Sequence, residues 1–266
     1  MLILYFLINV LFWAFFAISS VLLFVGALVI WALTYFFDPN RRILQKYSCF
    51  WSSLYIWLNP FWSVKVRGKQ NLDPKKTYVI VSNHQSLMDI LILFRTFFHF
   101  KWVSKKSMFN MPLLGWNMRL NGYIPIERGD AASRERCMER CREWIRKGSS
   151  VVFFPEGTRS PDGVLRPFKT GAFRLALETG AQILPIVIRG SGNAVPKHSI
   201  LLTRKTRMSV EVLSPISLQD FSSQPQDRAA QFLADFAFEQ IQTALRSSPT
   251  GSISAEKPLH MLETSL

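Results

Sequence analysis

The sequence predicts an α/β domain, built on a mixed or largely parallel sheet flanked by helices and preceded by an N-terminal membrane-embedded helical segment. Three observations carry this expectation. Short apolar runs of strand length (Tyr78-Val79-Ile80-Val81, Val151-Val152-Phe153-Phe154, Ile183 to Ile188) alternate with helix-length amphipathic stretches, and no internal repeat interrupts the alternation. Several of the runs are apolar throughout, as strands covered on both faces are. Met1 to Phe37 contains no charged residue.

The chain divides at its composition changes into 1–37, 38–63, 64–247 and 248–266. As one helix the first segment would reach about 55 Å. The hydrocarbon core is about 30 Å thick, so the segment tilts, extends past the bilayer or bends. Asn9, Ser19-Ser20 and Gly26 are places to bend, and the sequence leaves open whether the segment spans the bilayer or enters one leaflet. A signal peptide is a poor fit, because a basic n-region is missing and the apolar stretch is too long. Asp38-Pro39-Asn40 ends the segment, and Arg41, Arg42 and Lys46 follow at once, which places the rest of the chain on the cytoplasmic side. Residues 38–63 are rich in aromatics, among them Trp51, Tyr55, Trp57 and Trp62, and are interrupted by Ser52-Ser53 and Asn59-Pro60. They read either as an interfacial helix at headgroup depth or as a core helix of the domain.

Within 64–247, Val64 to Arg67 alternates like an edge strand. Tyr78 to Val81, Trp102 to Ser104, Gly122 to Arg128, Val151 to Phe154, Ile183 to Ile188 and Met208 to Leu213 read as further strands. Pro185 suits an edge or a bulge better than a sheet centre. Asp130 is the N-cap of a helix through Arg146, with Met138, Cys141, Trp144 and Ile145 as its apolar stripe. A second helix closes at Gly180, and Ala229 to Leu245 has helical composition. The tail, 248–266, reads as disordered.

Thirty-two basic against 18 acidic residues leave a net charge of +14, which calls for an anionic partner, nucleic acid or anionic lipid. Nucleic acid is disfavoured: its single strands want aromatics among the basic residues, whereas these tryptophans concentrate beside the apolar segment. Three cysteines and four scattered histidines make neither a disulfide framework nor a zinc constellation, so no metal site is expected. Walker A and Gly-x-Ser-x-Gly sequences are also missing.

Chemistry centres on Asn83-His84-Gln85-Ser86-Leu87-Met88-Asp89, between the run ending at Val81 and the run from Ile90 to Phe94. A strand ends at the histidine and a helix begins after it, with Ser86 as N-cap and Asp89 closing a capping box. Across that turn a carboxylate can fix the imidazole tautomer and leave the other nitrogen to take a proton from a hydroxyl. An isolated His-x4-Asp also arises as a capping residue beside a polar loop residue, so other stretches must decide. Strand ends gather polar clusters at Glu127-Arg128, at Glu156-Gly157-Thr158-Arg159 and in the loop to Lys169. Ligands of open α/β sheets collect beyond strand ends, and the planar fork of arginine suits a phosphate. Arg128 and Arg159 are phosphate candidates, with surface arginine as the alternative. A base without a protein nucleophile implies a substrate that brings its own hydroxyl.

Asn83 to Asp89, Gly122 to Arg128, Phe154-Pro155-Glu156-Gly157-Thr158-Arg159-Ser160 and Ile183-Leu184-Pro185-Ile186 resemble, in order, the four blocks of the glycerolipid acyltransferases. The resemblance covers roughly residues 64 to 215 and points to the 1-acylglycerol-3-phosphate acyltransferases within them. It implies acyl transfer from acyl-CoA or acyl-carrier protein to lysophosphatidic acid, without metal or organic cofactor. It further implies His84 as general base and Asp89 as its partner. Arg128, Glu156, Gly157, Thr158, Arg159 and Lys169 would contact the acceptor, and Lys105 or Lys106 would stabilise the oxyanion. Other readings are the same chemistry on another lysolipid or an aminolipid, hydrolysis of the thioester, and a non-catalytic basic membrane scaffold.

Overall fold

A computed structural model describes residues 2–160, 162–194, 205–221 and 225–247. In chain order the helices are α1 (Leu2–Thr34), α2 (Arg42–Trp57), α3 (Met88–Leu93), α4 (Leu114–Leu120), α5 (Ala131–Arg146), α6 (Gly171–Thr179) and α7 (Gln226–Arg246). The strands are β1 (Trp62–Arg67), β2 (Tyr78–Ser82), β3 (Phe100–Lys105), β4 (Ile124–Ile126), β5 (Ser150–Phe153), β6 (Gln182–Arg189) and β7 (Thr206–Val212). They form one seven-stranded sheet in the order β1-β7-β6-β2-β5-β3-β4. All neighbours are parallel except β6 and β7, so the sheet is mixed. The expected tail, 248–266, lies outside the described residues.

Period-two alternation sends β2 side chains to two cores. Tyr78 and Ile80 pack with α2, α3 and α4, whereas Val79 and Val81 pack with α5, α6 and α7. Both cores are closed, which explains why β2 and β5 read as apolar throughout. Cys137, Cys141 and Ile145 form the buried stripe of α5, and Asp130 caps that helix by accepting from the Ala132 N–H at 2.9 Å. Gly180 ends α6 at φ 69°, where a side chain would be strained.

Of the two positions expected for Pro185, an edge or a bulge, the structure shows the bulge. Pro185 stands in β6, between β7 and β2, paired in register with Val81. The antiparallel ladder with β7 begins one residue later, at Ile186 and Val212, and the Pro185 carbonyl still accepts from the Leu213 N–H at 3.0 Å. Pairing resumes at Ile183 and Ile216, one residue out of register, so proline stands beside a bulge and its missing donor costs a single bond.

α1 is unbroken from Leu2 to Thr34, and Leu7–Thr34 is long and apolar enough to cross a membrane. The polar positions expected to bend it are instead buried contacts. Ser19 and Ser20 hydroxyls lie 3.2 and 2.8 Å from the Tyr55 hydroxyl, which also accepts from Trp51 Nε1 at 2.9 Å. Gly26 lies against the Tyr47 ring, whose hydroxyl donates to the Leu23 carbonyl at 3.0 Å. Contacts that climb α1 while descending α2 make the pair antiparallel. α2 is sandwiched between α1 and the sheet, burying Leu44, Cys49, Trp51 and Ile56 while leaving Phe50 and Trp57 exposed. It thus combines the core helix with an aromatic outer face.

The linker between α1 and α2 is tied to the sheet by Lys101, which is fully buried on β3. Its Nζ donates to the Asn40 carbonyl at 2.8 Å and the Asn121 carbonyl at 2.7 Å, and lies 4.3 Å from the Trp144 ring centroid. Burial pushes this amine down to about 7; Asp38 acts in the opposite direction, while Arg41 and Arg42 push it further down. Between pH 7 and the usual lysine range, the unfolded chain then binds the proton that the folded chain releases, so this group makes stability rise with pH. Thermal unfolding in detergent should show the Tm of the unsubstituted protein climbing relative to Lys101→Met between pH 7 and 9. A constant difference would show that the amine stays charged in place.

Candidate active site

Where β2 stops, Asn83 continues its pairing with a side chain. Nδ2 donates to the Ile188 carbonyl and Oδ1 accepts from the Ile188 N–H, both at 2.8 Å, so the amide takes the place of one more ladder step onto β6. The next residue, His84, is pinned through its backbone to the loop after β5. Its N–H donates to Glu156 Oε1 at 2.8 Å, and its carbonyl accepts from the Ser160 N–H at 2.8 Å.

The imidazole is held from two further directions. Nδ1 lies 2.7 Å from Asp89 Oδ2, and the ring lies flat on Phe154, with centroids 3.9 Å apart and planes 11° apart. Phe154 in turn stacks on Trp102 at 5.7 Å. Asp89 is fully buried, and its Oδ2 also accepts from the Gln85 and Ser86 N–H groups at 2.7 and 2.9 Å. With Asp89 accepting from Nδ1–H, a neutral ring carries its lone pair on Nε2. The expected capping box forms only in part. The carboxylate reaches back to the Ser86 N–H, but the Ser86 hydroxyl bonds the Met88 N–H at 3.3 Å and α3 begins at Met88. Two residues of turn are used to aim Asp89 at the histidine.

Glu156 differs from the acceptor contact expected of it. Its carboxylate is buried, with Oε1 on the His84 N–H and Oε2 accepting from the Ser160 hydroxyl at 2.5 Å and the Arg166 N–H at 3.1 Å. Both oxygens are engaged within the protein, so Glu156 shapes the loop rather than facing a phosphate. Gly157 follows at φ 73°, and the Lys169 amine folds over it, 2.7 Å from where a Cβ would stand. A side chain at 157 would be strained by the backbone and would displace that amine. The Lys169 N–H also bonds the Pro155 carbonyl at 2.9 Å.

The structure therefore brings His84, Asp89, Glu156, Gly157 and Lys169 together, with Thr158 and Arg159 exposed on the same loop. Arg128 is exposed beyond β4, Lys105 at the last position of β3 and Lys106 just after it. β4 is three strands from β2, about 14 Å at the usual strand spacing. Lys106 is paired with Glu127 at 2.9 Å. Phe154 and Ser160 were not expected in these roles. Their signal was their position two residues before and four residues after Glu156, but only the parallel register of β2 on β5 reveals that this loop faces His84.

Comparison with known proteins agrees with this geometry. Residues 63–189 match the Acyltransferase family. The chain is 39% identical over 201 residues to the chloroplastic 1-acyl-sn-glycerol-3-phosphate acyltransferase of Arabidopsis thaliana, covering 75% of this chain but 56% of that one. It is 34% identical over 251 residues to a 1-acyl-sn-glycerol-3-phosphate acyltransferase of Chlamydomonas reinhardtii, covering 94% and 73%. The crystal structure of a 1-acyl-sn-glycerophosphate acyltransferase from Thermotoga maritima superposes with a TM-score of 0.72 at 22% identity, over 94% of this chain and 99% of that one, which establishes a shared fold. With a third of its residues shared across most of both proteins in the algal comparison, the chain belongs to the 1-acyl-sn-glycerol-3-phosphate acyltransferase family.

Proposed function

We propose that this protein transfers a fatty acyl group from acyl-CoA or acyl-carrier protein to the free sn-2 hydroxyl of lysophosphatidic acid, giving phosphatidic acid, with His84 as general base. The observation that carries the reading is the 2.7 Å contact between His84 Nδ1 and the buried Asp89 carboxylate; the acceptor is taken from the names of the relatives. Nε2 of His84 removes the acceptor hydroxyl proton as the oxygen attacks the thioester carbonyl. The tetrahedral oxyanion collapses, the C–S bond breaks, and the thiolate recovers the proton. Lys105 or Lys106 would steady that oxyanion. Arg159, Thr158, the Gly157 amide and Lys169 would hold the acceptor phosphate, with Arg128 as a second guanidinium. No step calls for a metal or organic cofactor. The enzyme would work at a membrane, with its catalytic domain on the cytoplasmic side, as the uncharged α1 and the cluster Arg41, Arg42, Lys46 after it suggest.

Purified protein in detergent, given labelled acyl-CoA or acyl-carrier protein and a panel of lysolipids and aminolipids, should acylate lysophosphatidic acid in preference. Release of free fatty acid alone would identify a thioesterase, and inactivity of folded protein a scaffold. His84→Ala should lower turnover by at least about a hundredfold with an unchanged circular dichroism spectrum. Near-normal turnover would remove the base assignment.

Arg128→Ala and Arg159→Ala should each raise the KM for lysophosphatidate roughly ten- to a hundredfold, the worth of a charge-assisted bond of about 1.5–3 kcal/mol, and leave the KM for acyl-CoA in place. Lysine replacements should recover only part of the loss, since a point charge lacks the bidentate fork. Unchanged kinetics in both would favour an acceptor without a phosphate.

Phe154 acts through the ring it supports. Phe154→Leu should lower kcat several-fold with little change in either KM, and Phe154→Tyr should retain activity because it keeps the stacked face. Equal losses in the two variants would mean that volume, not ring stacking, matters there.

A further inference from the structure

At the end of the sheet remote from His84, where β2, β3 and β5 begin, lies a cavity of about 410 Å³. Arg42 and Lys46 reach it from the first turns of α2, Lys76 from the loop before β2, and Phe97 and His99 from the chain entering β3. None of the three cations forms an ion pair with a carboxylate among the described residues. Asp38, the acid closest in sequence to Arg42, is used as a cap, its Oδ2 accepting from the Ile43 N–H at 2.7 Å. Arg42 donates to the Gly148 carbonyl at 3.0 Å, which holds the guanidinium at the cavity wall.

His99 supplies the second observation. Its Nε2 lies 2.9 Å from the Ser149 hydroxyl, while Nδ1 is buried and finds no protein partner. When the serine hydroxyl donates to Nε2, Nδ1 carries a hydrogen with nothing to receive it, and buried donors are rarely left so. Burial pushes the ring down to about 3, with Lys101 and Arg42 adding to the effect, so the ring is neutral beside these cations.

The position of the cavity indicates what kind of anion fits. Its Arg42 wall is the first residue of α2, shortly after the corner where α1 hands over to α2, and Tyr35, Phe36 and Phe37 are exposed at that corner, Phe36 at 91%. Exposed aromatics beside cations, at the end of a long apolar helix, are the chemistry of the headgroup layer of a bilayer. Phe97, itself partly exposed, adds an apolar wall to the basic ones.

We propose that this cavity is a second, non-catalytic site that binds the phosphate of an anionic phospholipid headgroup, with Arg42, Lys46 and Lys76 as counter-charges and the His99 ring in its wall. It stands apart from the acyl-transfer reading, since it uses none of the residues assigned to that reaction.

The test compares binding of the full-length protein to phosphatidylcholine vesicles with and without a minor fraction of phosphatidylglycerol, by flotation. The Lys46→Gln/Lys76→Gln double variant should lose the preference for phosphatidylglycerol by about tenfold or more and keep its binding to phosphatidylcholine alone. Lys65→Gln/Arg67→Gln, which removes two exposed charges from edge strand β1, is the control and should keep most of the preference. Equal losses in the two double variants would reduce the effect to general surface charge and overturn the proposal. A second readout is the His99 imidazole resonance, one of four in the chain and assignable with His99→Gln. It should shift with phosphatidylglycerol in detergent micelles. A shift with inorganic phosphate but not with the lipid would mark a soluble-phosphate site, and no shift with either would show that the cavity holds no anion; both outcomes overturn the proposal.

Discussion

The carboxylate of Glu156 is the constraint on which the site depends. It is buried where two strand ends meet, and a buried carboxylate is costly unless donors surround it. Three do: the His84 N–H from the end of β2, and the Ser160 hydroxyl and Arg166 N–H from the loop after β5. Hydrogen bonds to a charged group contribute about 1.5–3 kcal/mol each. Removing the carboxylate would therefore orphan the backbone of the histidine as well as loosen the loop. The same geometry sets the Phe154 ring against the imidazole, because Phe154 lies one residue beyond the last strand position of β5 and His84 two beyond that of β2. Asp89 orients the ring in its own plane, Phe154 blocks one face, and the backbone bonds fix where the ring begins. A side chain held this way has little conformational entropy left to lose.

Much of this was legible in the residues. Apolar runs marked the buried strands, Asp130 and Gly180 marked helix ends, and the polar clusters after the strands marked the site. What could not be read were properties of register and of which partner a polar group chooses. Glu156 in a basic, phosphate-suited stretch reads as a ligand contact; only the approach of β2 to β5 shows its oxygens already engaged. Asn83 reads as a turn residue, yet its amide is a rung onto β6, more than a hundred residues away in sequence. Pro185 reads as an edge or bulge residue because proline lacks a donor. The residue alone does not say which of the two it is, and here the pairing of β6 slips by one residue beside it, which is a bulge.

The same limit applied to α1, where an uncharged run reveals apolarity but not what it touches. Leu7, Leu11, Phe15, Ile18, Leu22, Val25, Val29 and Leu33 are exposed at helical spacing, forming one stripe from Leu7 to Leu33. The opposite face, with Phe16, Leu23, Ala27 and Ile30, packs in the cluster that holds Leu44, Trp51 and Tyr55 of α2. Such a helix has one face for the domain and one for an apolar medium.

This division bears on how the protein meets a bilayer. If α1 crossed the membrane, α2, which runs back alongside it, and the sheet beneath would be drawn into the hydrocarbon, where charged side chains are costly. If α1 lies within one leaflet, its exposed stripe enters the acyl chains and the domain stays in water. α2 runs from Arg42, which touches Gly148 before β5, to Ser52, whose hydroxyl bonds the Leu91 carbonyl in α3, the helix that begins at the His84 turn. The α1–α2 pair thus runs along the sheet from one end to the other, and an α1 in the plane of the leaflet brings both ends of the sheet to the same lipid surface. An acceptor lipid could then enter the site by lateral diffusion, without its acyl chain leaving the membrane.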